Sequence, residues 1–149
     1  MTKLRDIYLM NSLSRKKELL ITNHPGKLTM YSCGPTVYNL IHIGNLRAAL
    51  VPDMFFKYFK KAGYEVVYVR NYTDVDDKII KKAKDENISS EEVAIKYTTE
   101  VEKDYLTAGM TDPTYKTKAT EHIPEMIAMI EKIISKGLAY VINGEVFFS

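Results

Sequence analysis

The sequence contains a single cysteine, Cys33, so no disulfide can close within it. It has no run of about 18 apolar residues, the length a membrane-spanning helix needs. Neither sign of charge prevails. Twenty-one lysines and arginines, the 21 basic residues, stand against 19 acidic ones for a formal +2, which gives no electrostatic ground for claiming a polyanionic partner. Repeats and low-complexity tracts are missing as well. The opening stretch, Met1 to Ser14, carries charges at Lys3, Arg5 and Asp6 and lacks the apolar core and small-residue cleavage site of a secretion signal. These absences set the expectation of a cytoplasmic protein in a reducing compartment, with no membrane partner. What is present, 149 residues at 46% hydrophobic, suffices for one compact domain that buries roughly two-thirds of its extended-chain surface.

The chain reads as alternating strand and helix. Leu28 to Cys33 is a short strand that stops at Gly34-Pro35. From Asn45 to Ala62, Leu46, Leu50, Met54, Phe55 and Tyr58 recur at three- and four-residue intervals and Gly63 supplies a stop, which predicts a helix. Pro52 falls inside it and forfeits the bond to the carbonyl of Ala48, so a kink or local break is expected there. Tyr64 to Arg70 is the next strand, and its apolar run Val66 to Val69 suits a strand covered on both faces. Strand, helix and parallel strand form a crossover unit.

Three helical stretches follow. Asp74 is expected to cap the first, with Asp76 and Asp77 in its opening turn, where the helix dipole favours negative charge. Lys81, Lys82 and Lys84 further along read as a solvated face. Ser89 and Glu92 make a capping box for the second helix, which runs to Ala108 before Gly109. The third covers Thr120 to Lys136, with Ile123, Met126, Ile127, Ile130, Ile133 and Ile134 on one side and Gly137 at its end. Asn143-Gly144, between Leu138–Ile142 and Glu145–Ser149, predicts a hairpin. An edge strand ending the chain is a poor terminus, so the protein is expected to continue past Ser149.

The stretch that carries chemistry is Tyr31-Ser-Cys-Gly-Pro-Thr-Val-Tyr-Asn-Leu-Ile-His-Ile-Gly-Asn45, leaving the first strand and feeding the first helix. Ligands of open parallel sheets sit beyond the carboxyl ends of the strands, and a helix N-terminus offers free backbone donors to phosphate. His42 and Asn45 stand three residues apart at that entrance, and Gly44 removes a side chain that would hold a ligand off. Taken alone, these residues describe a nucleotide or phosphate site with neutral donors. A histidine beside a loop is otherwise a surface or packing residue.

His42-Ile-Gly-Asn45 resembles the His-Ile-Gly-His motif of class I aminoacyl-tRNA synthetases, in the variant with asparagine last. The longer run from Cys33-Gly-Pro-Thr-Val-Tyr-Asn through His42-Ile-Gly-Asn-x-Arg47 resembles the cysteinyl-tRNA synthetases in particular. So do Tyr68-Val-Arg-Asn-Tyr-Thr-Asp-Val-Asp-Asp-Lys-Ile-Ile80 and, more loosely, Lys118-Ala-Thr-Glu-His-Ile-Pro-Glu-Met-Ile127 with Gly137-Leu-Ala-Tyr140.

The resemblance implies a Rossmann-like α/β catalytic domain, its first half in residues 1–120. A linking helix and the beginning of an inserted domain would occupy residues 121–149. It implies a cysteine–tRNA ligase that activates L-cysteine with ATP and Mg and transfers it to tRNA(Cys), as a monomer, this chain being an incomplete N-terminal portion. His42 and Asn45 would be catalytic. Pro35, Thr36, His42, Gly44 and Asn45 would bind ATP, and Gly34 and Thr73 would meet the cysteine. Tyr38 would either line this pocket or pack beneath it.

Cys33 matches one of four zinc ligands, the others being a cysteine, a histidine and a glutamate from later in the family's chain. His24 and His122 do not match them. Zinc binds a thiolate far better than a hydroxyl, so such a site could select cysteine over serine, which a pocket of matching size rejects poorly. Two other readings compete. One is a related cysteine ligase of thiol-cofactor synthesis, whose acceptor is an amino sugar. The other is a nucleotide-binding module without catalysis.

Overall fold

A computed structural model of the chain describes residues 5–149. Side chains of Leu28, Met30 and Ser32 alternate with the outward Thr29 and Tyr31, and this period of two builds β3, Lys27–Ser32. α1, Ile43–Lys61, carries the chain to β4, Glu65–Tyr72. α2, Asp77–Glu86, and α3, Ser90–Thr107, lead to β5, Tyr115–Lys118. The three strands pair in the order β3-β4-β5, all parallel, with Met30 beside Tyr68 and Arg70 beside Lys116. Helical crossovers between consecutive parallel strands make this the expected Rossmann-like α/β arrangement.

Two outer hairpins flank this unit. β1, Tyr8–Asn11, pairs antiparallel with β2, Lys16–Leu19, and Ile7 beside it is buried against Leu28 and Phe59. Neither this hairpin nor β5 is foreseen in the sequence. After β5 come a 3-10 turn at Thr120–His122, α4 at Ile123–Ser135, and the strands β6, Ala139–Ile142, and β7, Glu145–Phe148. The single helix expected over Thr120–Lys136 is thus divided, because Pro124 has no N–H with which to continue the turn that precedes it. Asn143 and Gly144 both have positive φ, 51° and 83°, as the tight hairpin turn requires. No side chain of α4 is buried, and its apolar face is solvent-facing among the described residues.

Helix α1 is unbroken at Pro52, so the local break expected there does not occur. Its buried stripe is Ala49, Asp53, Phe56 and Phe59, while Leu50, Met54 and Tyr58 of the apolar series face outward. Phe56 rests on Tyr68 of β4 with ring centroids 5.3 Å apart, and burial of such a ring is worth about 1.5–3 kcal/mol. Asp53 tolerates its burial because its carboxylate accepts from the Thr111 amide at 2.9 Å and pairs with Lys57 at 2.7 Å. β4 is buried on one face only, at Tyr68, Arg70 and Tyr72; Val67, Val69 and Asn71 on the other face are half-buried.

The main core gathers Val37, Ala49, Tyr72, Ile79, Val93, Tyr97, Val101 and Tyr105 between the start of α1 and the α2–α3 pair. The cap of α2 is Asp76, which accepts from the Lys78 amide, and not Asp74. Asp74 instead accepts from the amide and hydroxyl of Thr120, tying β4's exit to the 3-10 turn. The Ser89–Glu92 capping box of α3 is present as expected. No helix among the described residues is long and apolar enough to cross a membrane.

Candidate functional site

β3 and β4 run in register to Ser32 opposite Arg70, and the pairing resumes at Thr36 opposite Thr73. Four steps on one strand therefore match three on the other. The extra residue is a bulge in a parallel pair, formed by Cys33, Gly34 and Pro35, and such bulges re-aim side chains. Thr73 closes its far side by donating its amide to the Pro35 carbonyl and accepting from the Val37 amide, each at 3.1 Å. Within the bulge, Gly34 bonds to a side chain, its amide donating to Asn71 Oδ1 at 2.9 Å. Glycine is obligatory there: a Cβ would lie 1.7 Å from the Asn71 carbonyl oxygen.

The bulge brings Cys33, Gly34, Pro35, Thr36 and Thr73 together at the carboxyl edge of the sheet. Register places Tyr31, Cys33, Thr36, Asn71 and Thr73 on one face, away from α1. Cys33 is exposed. Tyr31 donates its hydroxyl to Asn71 Oδ1 at 3.0 Å. Partial desolvation, and then the neighbouring Cys33 thiol, pushes that hydroxyl above the ordinary phenol range. Asn71 and Tyr31 lie in the runs singled out from the sequence but are given no site role there, although a glycine closing a strand is a signal for a bulge.

His42, Gly44 and Asn45 form a second group at the start of α1. His42 is the N-cap residue: its Nδ1 accepts from the Gly44 amide at 3.0 Å, and its own amide donates to Asn45 Oδ1 at 3.1 Å. This reciprocal box fixes both side chains. An Nδ1 that accepts leaves the proton of a neutral imidazole on Nε2, and an Oδ1 that accepts leaves Nδ2 as the free end of the carboxamide. Both remaining groups are donors, placed where the helix dipole is positive. Gly44 serves this pair directly, since a Cβ there would sit 2.8 Å from Cε1 and 2.9 Å from Nδ1 of His42. A side chain at position 44 would therefore press on the capping His42 ring.

The loop Val37 to Ile41 joins the two groups, and no direct hydrogen bond links them among the described residues. Val37 is fully buried in the main core. Tyr38 packs against that core with Lys78 5.5 Å from its ring centre, so packing describes it. A cavity of about 360 Å³ on the helical side of the sheet is lined by Arg70, Glu102, Tyr105 and Lys116, none of them a site residue. Lys82 of the lysine series turns inward to pair with Glu86 at 3.1 Å.

Tetrahedral zinc requires four donors. No cluster of three or more His, Cys, Asp and Glu side chains able to hold a metal occurs among the described residues. Cys33 alone does not make a zinc site, and this chain by itself does not fit the metal.

A family model described as the class I (C) tRNA synthetase catalytic domain matches residues 20–149. The chain is 50% identical over 139 residues to a cysteine–tRNA ligase of Geobacter sulfurreducens, covering 93% of this chain and 29% of that protein. It is 48% identical over 141 residues to one from Carboxydothermus hydrogenoformans, covering 95% of this chain and 30% of the relative. Against one from Lachnospira eligens the identity is 49% over 140 residues, covering 94% and 30%. The chain thus spans about three-tenths of the length of these curated relatives. With the parallel sheet, the strand-end bulge and the capped His42–Asn45 pair already in view, the match places this chain in the family of class I cysteinyl-tRNA synthetase catalytic domains.

Proposed function

We propose that the chain supplies the first part of the active site of a cysteine–tRNA ligase. The substrate carboxylate of L-cysteine attacks the α-phosphorus of ATP, pyrophosphate leaves, and cysteinyl-adenylate forms. A ribose hydroxyl of tRNA(Cys) then attacks the carbonyl carbon and releases AMP. The observation that carries this reading is the His42–Asn45 box. Its two free donors, Nε2–H and the Nδ2 amide, lie at a helix N-terminus, where they suit the phosphate oxygens of ATP held with Mg. Pro35, Thr36 and Gly44 belong to the same ATP-binding surface, and Gly34 and Thr73 to the cysteine-binding one. Loss of one such donor typically costs 100- to 1000-fold in rate, about 3–4 kcal/mol.

Cys33 is the one zinc ligand that these residues bring, and the other three come from outside residues 1–149. Residues 1–120 are the first half of the catalytic domain, and residues 121–149 open the insertion. The whole ligase works as a monomer in the cytoplasm. The isolated chain does not charge tRNA, and it binds ATP more weakly than the complete enzyme.

A hybrid tests the reading. These 149 residues replace the matching part of the Geobacter sulfurreducens ligase, and cysteine-dependent exchange of pyrophosphate into ATP is measured. Exchange lost in the hybrid's His42→Ala and Asn45→Ala forms is the expected result. A folded hybrid without cysteine-dependent exchange would sink the proposal, and cysteine transfer to an amino sugar in place of tRNA would favour the thiol-cofactor ligase.

A further inference from the structure

We propose that Asn71 is the positioning residue of this site, setting the separation of Cys33 from Thr73. The inference rests on the functional reading above and deepens it. The strand ends that bear these two residues lose their backbone pairing between Ser32–Arg70 and Thr36–Thr73, and a single carboxamide fills that gap. Asn71 Oδ1 accepts from the Gly34 amide at 2.9 Å and from the Tyr31 hydroxyl at 3.0 Å. Asn71 Nδ2 reaches Thr73 Oγ1 at 3.4 Å. One side chain therefore fixes the residue after Cys33, the tyrosine two before it, and the hydroxyl of Thr73.

No other residue type of this size does all of this. Aspartate keeps the acceptor for Gly34 but replaces the Nδ2 donor with a charged acceptor, so that the Thr73 hydroxyl must turn and donate to it; leucine loses both contacts, and glutamine is one methylene too long for a gap bounded by the Gly34 backbone. Only half-buried, Asn71 is placed to orient groups that touch substrate without itself being consumed in the reaction. Supporting contacts of this kind hold reacting groups within the tolerance that chemistry demands.

Two measurements decide the matter. In the 149-residue chain, Asn71→Ala speeds hydrogen exchange of the Gly34 amide about tenfold, the loss of one hydrogen bond, while the amides of Val66 to Val69 are unchanged. Tyr31→Phe and Asn71→Asp leave Gly34 exchange within about threefold of the parent, since both keep the Gly34 acceptor. In the hybrid ligase, Asn71→Ala and Asn71→Asp raise KM for cysteine about tenfold, with KM for ATP within about twofold. A purely structural role would change both constants together or leave both alone.

Parent-like Gly34 exchange in Asn71→Ala overturns the proposal, as does a parent-like cysteine KM in both variants. If Asn71→Ala fails to fold, Asn71→Asp decides through the cysteine KM alone, a parent-like value overturning the proposal. An unmutated hybrid that ignores cysteine defeats the functional reading alone, and Gly34 exchange then still reports whether Asn71 sets the geometry.

Discussion

Gly34→Ala probes the bulge most directly. The added methyl would stand 1.7 Å from the carbonyl oxygen and 2.9 Å from the carbonyl carbon of Asn71, both backbone atoms. No side-chain rotation relieves this contact. To restore ordinary van der Waals spacing near 3.5 Å the strand ends must part by about 2 Å. That breaks the Gly34 bond to Asn71 at 2.9 Å and the two Thr73 backbone bonds at 3.1 Å. Three bonds at about 1 kcal/mol each give a loss of about 3 kcal/mol, comparable to the 1–3 kcal/mol typical of overpacking. Against a total stability of roughly 5–15 kcal/mol, this is a large fraction. Urea unfolding followed by circular dichroism should show the midpoint falling by about 2 M, taking a slope of about 1.5 kcal/mol/M. A variant within about 0.5 kcal/mol of the parent would refute the close approach on which the site's geometry rests.

Three further outcomes are expected. Gly44→Ala pushes the His42 ring aside and costs about 1 kcal/mol through the lost cap; in a His42→Ala background the same change is neutral or stabilising, because the clash is gone and alanine is the better helix former. The cycle of four urea curves checks that reversal of sign. Glu86 is held down to about 2 by Lys96 first, then by Tyr97 and Lys82, so its stabilising effect is present above its ordinary value of 4.5 and disappears as pH falls toward 2. Melting temperature should therefore drop more steeply over that window in the parent than in Glu86→Gln. Asp53→Ala strands the Thr111 amide and costs about 2–3 kcal/mol, whereas Asp53→Asn, which keeps an acceptor, costs less; unfolding midpoints of the two variants rank them.

Much of this architecture is legible in the residue pattern, where local rules and tertiary packing agree. Ser89 with Glu92 and Asn143 with Gly144 act within three residues of themselves, and both appear as expected. The parallel β3–β4 pair and α1 between them follow from period and punctuation alone. β5 is hidden because Tyr115-Lys-Thr-Lys118 is short and polar, and its strand state comes from pairing with Val69 to Tyr72. The face of α1 misleads because Asp53, a polar residue, occupies the buried stripe, its cost offset by Lys57 and Thr111. The capping role moves from Asp74 to Asp76 because β4 runs to Tyr72 and Thr73 still pairs, which delays the helix.

The site divides in the same way. His42 and Asn45 stand out by their place at a helix entrance, and Cys33 and Thr73 through the family resemblance, whereas Asn71 acts through a long-range bond to Gly34, 37 positions away. Nothing in its immediate neighbours announces that bond.

The miscount between the two strand ends also changes parity along the chain. Before it, even-numbered Leu28 and Met30 point into the protein and odd-numbered Tyr31 points out. After it, odd-numbered Val37 is the side chain fully enclosed in the core. One residue of slack thus lets a single continuous segment present its sulfur to solvent and, four positions on, plug the interior. Deleting any one residue from Cys33 to Pro35 would set three steps against three, so Thr36 would stay opposite Thr73 and Val37 inward, and the loss would fall on the looped-out segment and the Gly34 contact inside it.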